Sequence, residues 1–234
     1  VITVPVAVAA NAANPTVNTA TVTGGGDPTC TNCSGTTTNP VIDAVNDAST
    51  GQPGQAGTFN VSTNDKFPVG STFTQTATTC VPAGTMTGAV ANFTYPGTTG
   101  ASCTVTYSVC APAPNTTICD TAVLTVTAGA APALTVTKSA TPAVLVVGGT
   151  GQVYTITISV ANGPTTAAIN VSDVLPAGVS TNGAITATGG TLSGCPASGA
   201  TSLAGCTVAS GTNGPVVITV PVAVAANAAN PTVN

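Results

Sequence analysis

Three residues of this chain have types and spacing that suggest a reaction. Lys138 shares its alternating face with Leu134 and Val136, Asp173 with Ile169 and Val171, and Asn18 with Ala20 and Val22. Each polar group therefore stands where a strand should turn an apolar side chain inward. An ammonium facing a core is costly unless it is paired. A neighbouring carboxylate and a carboxamide would resolve that cost and would also supply amide chemistry. Desolvation favours the neutral, nucleophilic amine, and a protonated Asp173 would polarise the carboxamide. The acceptor would be Asn234, with Asn18 the equivalent residue for a preceding repeat, and a strand supplied by another subunit would be welded to it. The competing reading is an ordinary ion pair between Lys138 and Asp173 at a strand end.

The eight cysteines fall into four pairs close in sequence: Cys30 with Cys33, Cys80 with Cys103, Cys110 with Cys119, and Cys195 with Cys206. An even count beside so little charge suggests local disulfides and an oxidising compartment. Cys30 and Cys33 also form a C-x-x-C, yet a structural zinc site needs a second such pair or two histidines, and neither is present. Asp43, Asp47, Asp65 and Asp120 make calcium the one cofactor the residues invite, because hard cations take oxygen ligands. No D-x-D-x-D-G spacing accompanies them, and Asp beside Gly and Ser is the usual chemistry of turns. Acceptors of the form N-x-S/T, at Asn60, Asn92, Asn115 and Asn170, follow from a composition rich in Asn and Thr.

Composition narrows the function classes. The 234 residues carry two Lys and six Asp, a net charge of -4, and no Arg, Glu or His. Phosphate binding needs clustered cations, so nucleic acid is not expected as a partner. General acid and base work recruits His, Glu, Asp or Lys, and a Ser or Cys nucleophile needs an adjacent base, so the chain reads as a non-enzyme. No uninterrupted apolar run reaches the length of a membrane span. The start at Val1, without Met or a leader, suggests a processed protein or an excised stretch, with any signal or anchor lying outside it.

The elements that must position these residues read as all-β. Period-two alternation places Tyr154, Ile156, Ile158 and Val160 on one face, and Ala122, Leu124 and Val126 on another. Short strands between Gly, Pro and Asn clusters imply tandem immunoglobulin-like β-sandwiches. Pro5 and Pro221, inside strand-like runs, suggest an edge or a bulge. The organising feature is a repeat: residues 1–18 and 217–234 both read VITVPVAVAANAANPTVN. That identity reads as a serial array of repeats, as a strand donated between subunits, or as a cloning duplication. Residues 1–29 are then closing strands of a sandwich, from the preceding repeat or donated to a neighbour. Residues 30–40 are a linker, 41–128 one domain, and 133–234 a second domain lacking its last strand.

Two stretches are similar to known families. AVNDASTGQPGQAGTFNVSTND, residues 44–65, with CTVTYSVCAPAPNTTICDTAVLTVT, residues 103–127, resembles the Ig-like and cadherin-like modules of large bacterial surface proteins. LTVTKSATPAVLVVGGTGQVYTITISVANGPTTAAINVSDVLPAGVS, residues 134–180, resembles the surface repeat called domain of unknown function eleven, found in long bacterial and archaeal adhesins. Its closing strand, of the form N-T-A-x-V, stands at residues 18–22. These resemblances imply a repetitive, non-catalytic protein of the cell surface. The sequence thus leads to the expectation of an extracellular structural protein, a filament, stalk or surface layer whose partner is itself, secreted or surface-bound. The alternative is an adhesin or other binding module for ice, glycan or a cell surface.

Overall fold

The computed structural model describes residues 1–26 and 29–228. The chain divides into two compact units, Val1–Gly129 and Ala130–Asn234, and both are all-β.

In the first unit the strands are β1 (Thr16–Thr21), β2 (Ser34–Asn39), β3 (Asp47–Gly51), β4 (Ala56–Asn60), β5 (Thr72–Thr78), β6 (Thr85–Thr87), β7 (Val90–Thr94), β8 (Ser102–Cys110) and β9 (Cys119–Ala128). One sheet has the order β3-β9-β8-β5 and another β4-β7-β6. Both sheets feed one core: Val105, Tyr107 and Val109 of β8 and Leu124 and Val126 of β9 meet Ala91 and Phe93 of β7. Alternation makes this possible, since every second residue of β8 and β9 faces inward. Tyr95 packs its ring edge-on against Phe93 and bonds Ser49 through its hydroxyl. Gly51 and Gly57 leave room for that ring, because a Cβ at either would lie 2.3 or 2.7 Å from a Tyr95 carbon.

The hairpin β1-β2 stands outside both sheets of the first unit. Its strands pair from Thr16 opposite Asn39 to Thr21 opposite Ser34, and nearly every residue is exposed. The stretch 30–40, expected to be a linker, therefore contains a strand. Its Thr-rich run satisfies its backbone groups by pairing with β1 rather than by solvation alone. Of residues 1–29, expected as closing strands, residues 1–8 hold no strand and residues 16–21 form β1.

The second unit contains β10 (Ala133–Thr141), β11 (Val153–Ala161), β12 (Ile169–Val171), β13 (Val179–Thr181), β14 (Thr186–Thr188), β15 (Leu192–Ser193), β16 (Cys206–Val208) and β17 (Val216–Val224). The larger sheet runs β10-β11-β17-β13 with β14 also on β17, and the smaller runs β12-β16-β15. β17 is central, and its alternate residues Val216, Ile218, Val220, Val222 and Val224 are all buried. Gln152 ties down the loop before β11, bonding the backbone of Val146 and Gly149. Pro221 sits within this paired strand, so the expected edge or bulge is not what accommodates it. On one side β17 passes from β14, which ends opposite Thr219 at Thr186, to β13, which begins opposite Val222. The missing N–H of Pro221 falls at that change of partner, where its carbonyl accepts from Asn182.

All eight cysteines are paired. Cys110 and Cys119 lie opposite each other in the β8-β9 register, and Cys80 joins the end of β5 to Cys103 of β8. Cys195 is bonded to Cys206 of β16, and Cys30 to Cys33 in the β1-β2 connection. Such bonds contribute about 2–4 kcal/mol each by restricting the unfolded chain. They place the protein outside the reducing cytosol. No described helix is long and apolar enough to cross a membrane.

The repeated segment provides a direct test of this architecture. Ile218 is 0% exposed and its counterpart Ile2 is 92% exposed, although their local sequences are identical. Ile218→Ala should therefore cost the second unit about 2–5 kcal/mol. Ile2→Ala should leave its stability within about 0.5 kcal/mol. Amide exchange in β11 and β17 of the dispersed chain reads both values.

Candidate self-association site

The edges of the two sheets in the second unit leave a groove. β10 ends the larger sheet and β12 ends the smaller, so each has an unpaired edge. Between them lies a cavity of about 290 Å³, floored by Ile156 and Ile158 of β11 and walled by Leu134 and Val136 on one side and Ile169 and Val171 on the other. Leu134 and Val136 are 45% and 63% exposed. The register sets Val136 opposite Ile158 and Lys138 opposite Ile156, which carries Lys138 to one end of the groove.

There the Nζ of Lys138 donates to Oδ2 of Asp173 at 2.6 Å. The side chains of the pair retain 24% and 11% of their exposure. The ring of Tyr154 lies under the ammonium, its centroid 4.4 Å from Nζ, and adds a cation–π contact. Two of the three residues of the sequence trio are thus in contact. Asn18 lies on β1 opposite Thr37 and is exposed. Asn234 is outside the described residues.

Asp43, Asp47, Asp65 and Asp120 are engaged with other groups. Asp43 and Lys66 form an ion pair at 3.4 Å, and the Lys66 ammonium also donates to the carbonyl of Ala10. Asp120 accepts from the Ala44 and Thr121 amides. Asp47 and Asp65 converge on Tyr107, whose hydroxyl lies 3.0 Å from Oδ2 of Asp47 and 3.1 Å from Oδ2 of Asp65. Asp65 also accepts from the Val45 amide at 2.7 Å. Among the described residues no group of three metal-ligating side chains assembles. Tyr107, fully buried on the inward face of β8, is the residue the sequence reading missed. A tyrosine on an apolar stripe needs a partner for its hydroxyl, and the aspartates were the available acceptors.

Burial raises the pKa of Asp47, and its bonds to Tyr107 and Asn64 oppose the rise. Burial likewise raises Asp65, against bonds from Val45 and Tyr107 and with a further push from Asp47 and Asp43. The Tyr107 hydroxyl is pushed up by burial first and then by Asp47. A carboxyl whose pKa is raised on folding binds its proton more tightly in the native state. It therefore adds stability below the unfolded value, about 3.9 for Asp, and that increment is lost as pH rises through the folded value. The melting temperature of the first unit should fall as pH is raised from about 3.9 through the raised folded values, and Asp47→Asn should flatten that fall. Tyr107→Phe, which leaves both carboxylates without the hydroxyl, should cost about 1.5–3 kcal/mol at neutral pH. Calorimetry across the pH range measures all three effects.

No family model matches this chain, and neither a curated protein nor a solved structure matches it.

Proposed function

We propose that this chain is an extracellular structural protein whose immunoglobulin-like β-sandwiches join in series, through repeats or strand complementation, into a filament, stalk or surface layer. The observation that carries the reading is the unequal fate of one sequence. Residues 217–224 belong to the central, buried strand of the second unit, while residues 1–8, identical to them, expose Ile2, Val4, Val6 and Val8 at 92%, 71%, 81% and 64%. An apolar alternating segment without a sheet is a strand in search of a partner, and exposed edges are the usual places for one to add. Low charge supports lateral packing, since few like charges oppose it. Paired cysteines and small apolar side chains suit a protein that must persist outside a cell.

A second reading, an adhesin or other binding module, is favoured by the β1-β2 hairpin. Thr19 and Thr21 lie opposite Thr36 and Ser34, with Thr38 beside them, an exposed array of hydroxyl groups for ice, glycan or a cell surface.

The experiment is sedimentation of the whole chain across a concentration series, followed by electron microscopy. Oligomers that grow with concentration and repeat along one axis are expected. A species of 22.1 kDa at every concentration would overturn the serial reading, and retained binding by that single species would favour the adhesin.

A further inference from the structure

We infer that the groove between β10 and β12 receives β1 and the adjoining Val22 of a second copy and bonds that segment covalently, Lys138 to Asn18, with Asp173 as the proton carrier. This deepens the serial reading and rests on it.

The repeat identifies the occupant. In the second unit, β17 covers the positions that residues 1–8 duplicate. The strand that follows this sequence in its first copy is β1, Thr16–Thr21. The second unit thus already holds its own version of residues 1–8, and among its described residues no strand follows β17. The groove has the character to take the inward face of one strand, with an apolar floor and walls and an unpaired edge along each side.

The donor strand fits without unfolding anything. β1 pairs on one edge with β2 and is free on the other, so the hairpin can add to β12 as two further strands of the smaller sheet. Residues 1–22 carry no charged side chain, so entry brings no ion into an apolar cleft. Asn18, Ala20 and Val22 share one face. Residues two apart on a strand are about 6.6 Å apart, the same step that separates Lys138, Val136 and Leu134. With Asn18 at Lys138, an antiparallel strand places Ala20 beside Val136 and Val22 beside Leu134. These two wall residues are the ones left open to solvent in the single chain.

The polar end of the groove then holds the reactants for an amide bond. Covering the ion pair removes water from it, and in such a setting two opposite charges are relieved by passing the proton from ammonium to carboxylate. The resulting amine of Lys138 attacks Cγ of Asn18, while the protonated Asp173 donates to the carboxamide oxygen. The new Nζ–Cγ bond forms as the Cγ–Nδ2 bond breaks. The nitrogen of Asn18 leaves as ammonia, taking up the proton that Nζ releases by way of Asp173. Nothing is oxidised or reduced, and no further reactant is required.

The test uses the whole chain at concentrations where it associates, with sedimentation under native conditions, denaturing electrophoresis under reduction and intact mass. The expected result is a ladder resistant to detergent and reductant, each joint lighter by about 17 Da than the chains it unites, since amide formation at Asn expels ammonia. Tandem mass spectra should place the link between Lys138 and Asn18. Asn18→Ala, at an exposed hairpin position, and Lys138→Arg, which keeps the ion pair, should sediment as the native oligomers do yet disperse to single chains in detergent. Asp173→Asn should slow ladder formation at least about a hundredfold. Native oligomers of the unaltered chain that disperse in detergent at full chain mass would overturn the covalent joint and leave the serial reading standing. A ladder that persists in Asn18→Ala would also overturn it. A chain that never associates would remove both.

Discussion

The structure depends on the burial of one alternating apolar stripe per sheet in a chain with almost no charge and few large side chains. In the second unit that stripe is Val216, Ile218, Val220, Val222 and Val224, 0% to 6% exposed. Burying a Val or Ile side chain is worth about 1.5–3 kcal/mol, so the central strand carries much of the stability of its unit. β11 supplies the matching face through Tyr154, Ile156 and Ile158. The first unit repeats the solution with Val105, Tyr107 and Val109 against Leu124 and Val126. The stripes consist mostly of Val and Ile, and disulfides join strands or strand ends beside them at Cys80–Cys103, Cys110–Cys119 and Cys195–Cys206.

The same dependence explains why one sequence has two fates. Alternation defines which residues could be buried, but burial requires a second surface, and residues 1–8 have none in this chain while residues 217–224 have β11 on one side and β13 and β14 on the other. A strand is therefore a property of a pair.

Period-two patterns were the most legible part of the sequence. Tyr154, Ile156 and Ile158, and Ala122, Leu124 and Val126, face inward because nothing else about those stretches competes with a strand. Cysteines near in sequence are near in space because hairpin partners are near in both, as Cys110 and Cys119 illustrate. The strand within residues 30–40 was obscured by Gly, Thr and Asn, which read as turn and linker until a partner is known. Pro221 misled because its tolerance depends on where β14 gives way to β13, a tertiary fact. At the candidate site, parity alone brought Lys138 and Asp173 to the same end of one groove. The groove itself could not be read, since it is made by edges of two sheets whose order no local pattern specifies. Tyr107 was missed because its role depends on which carboxylates the fold delivers to its hydroxyl.

Edge strands are normally guarded by charge, proline or a bulge against the addition of another strand. The edge at β10 has little of this protection: Leu134 and Val136 lie open, and Pro142 follows the strand rather than interrupting it. Its one cation, Lys138, faces the groove and is neutralised by Asp173, so it does not repel an incoming apolar strand. The edge of β12 is three residues long and uncharged, and Asp173, two residues beyond it, is committed to the same pair. Left bare, two such edges beside an apolar cleft would invite indiscriminate aggregation. The polar pair at one end changes that, because an apolar strand covering it must offer a hydrogen-bonding group there or leave buried charge unsatisfied. Among the alternating residues of 16–22, Asn18 is placed to meet that demand. In the proposed joint the groove would select by register: an apolar segment shifted by two residues would set Ala20 or a threonine against the pair. Specificity in such a joint would rest on where the few charges of this nearly uncharged protein lie rather than on how many it carries.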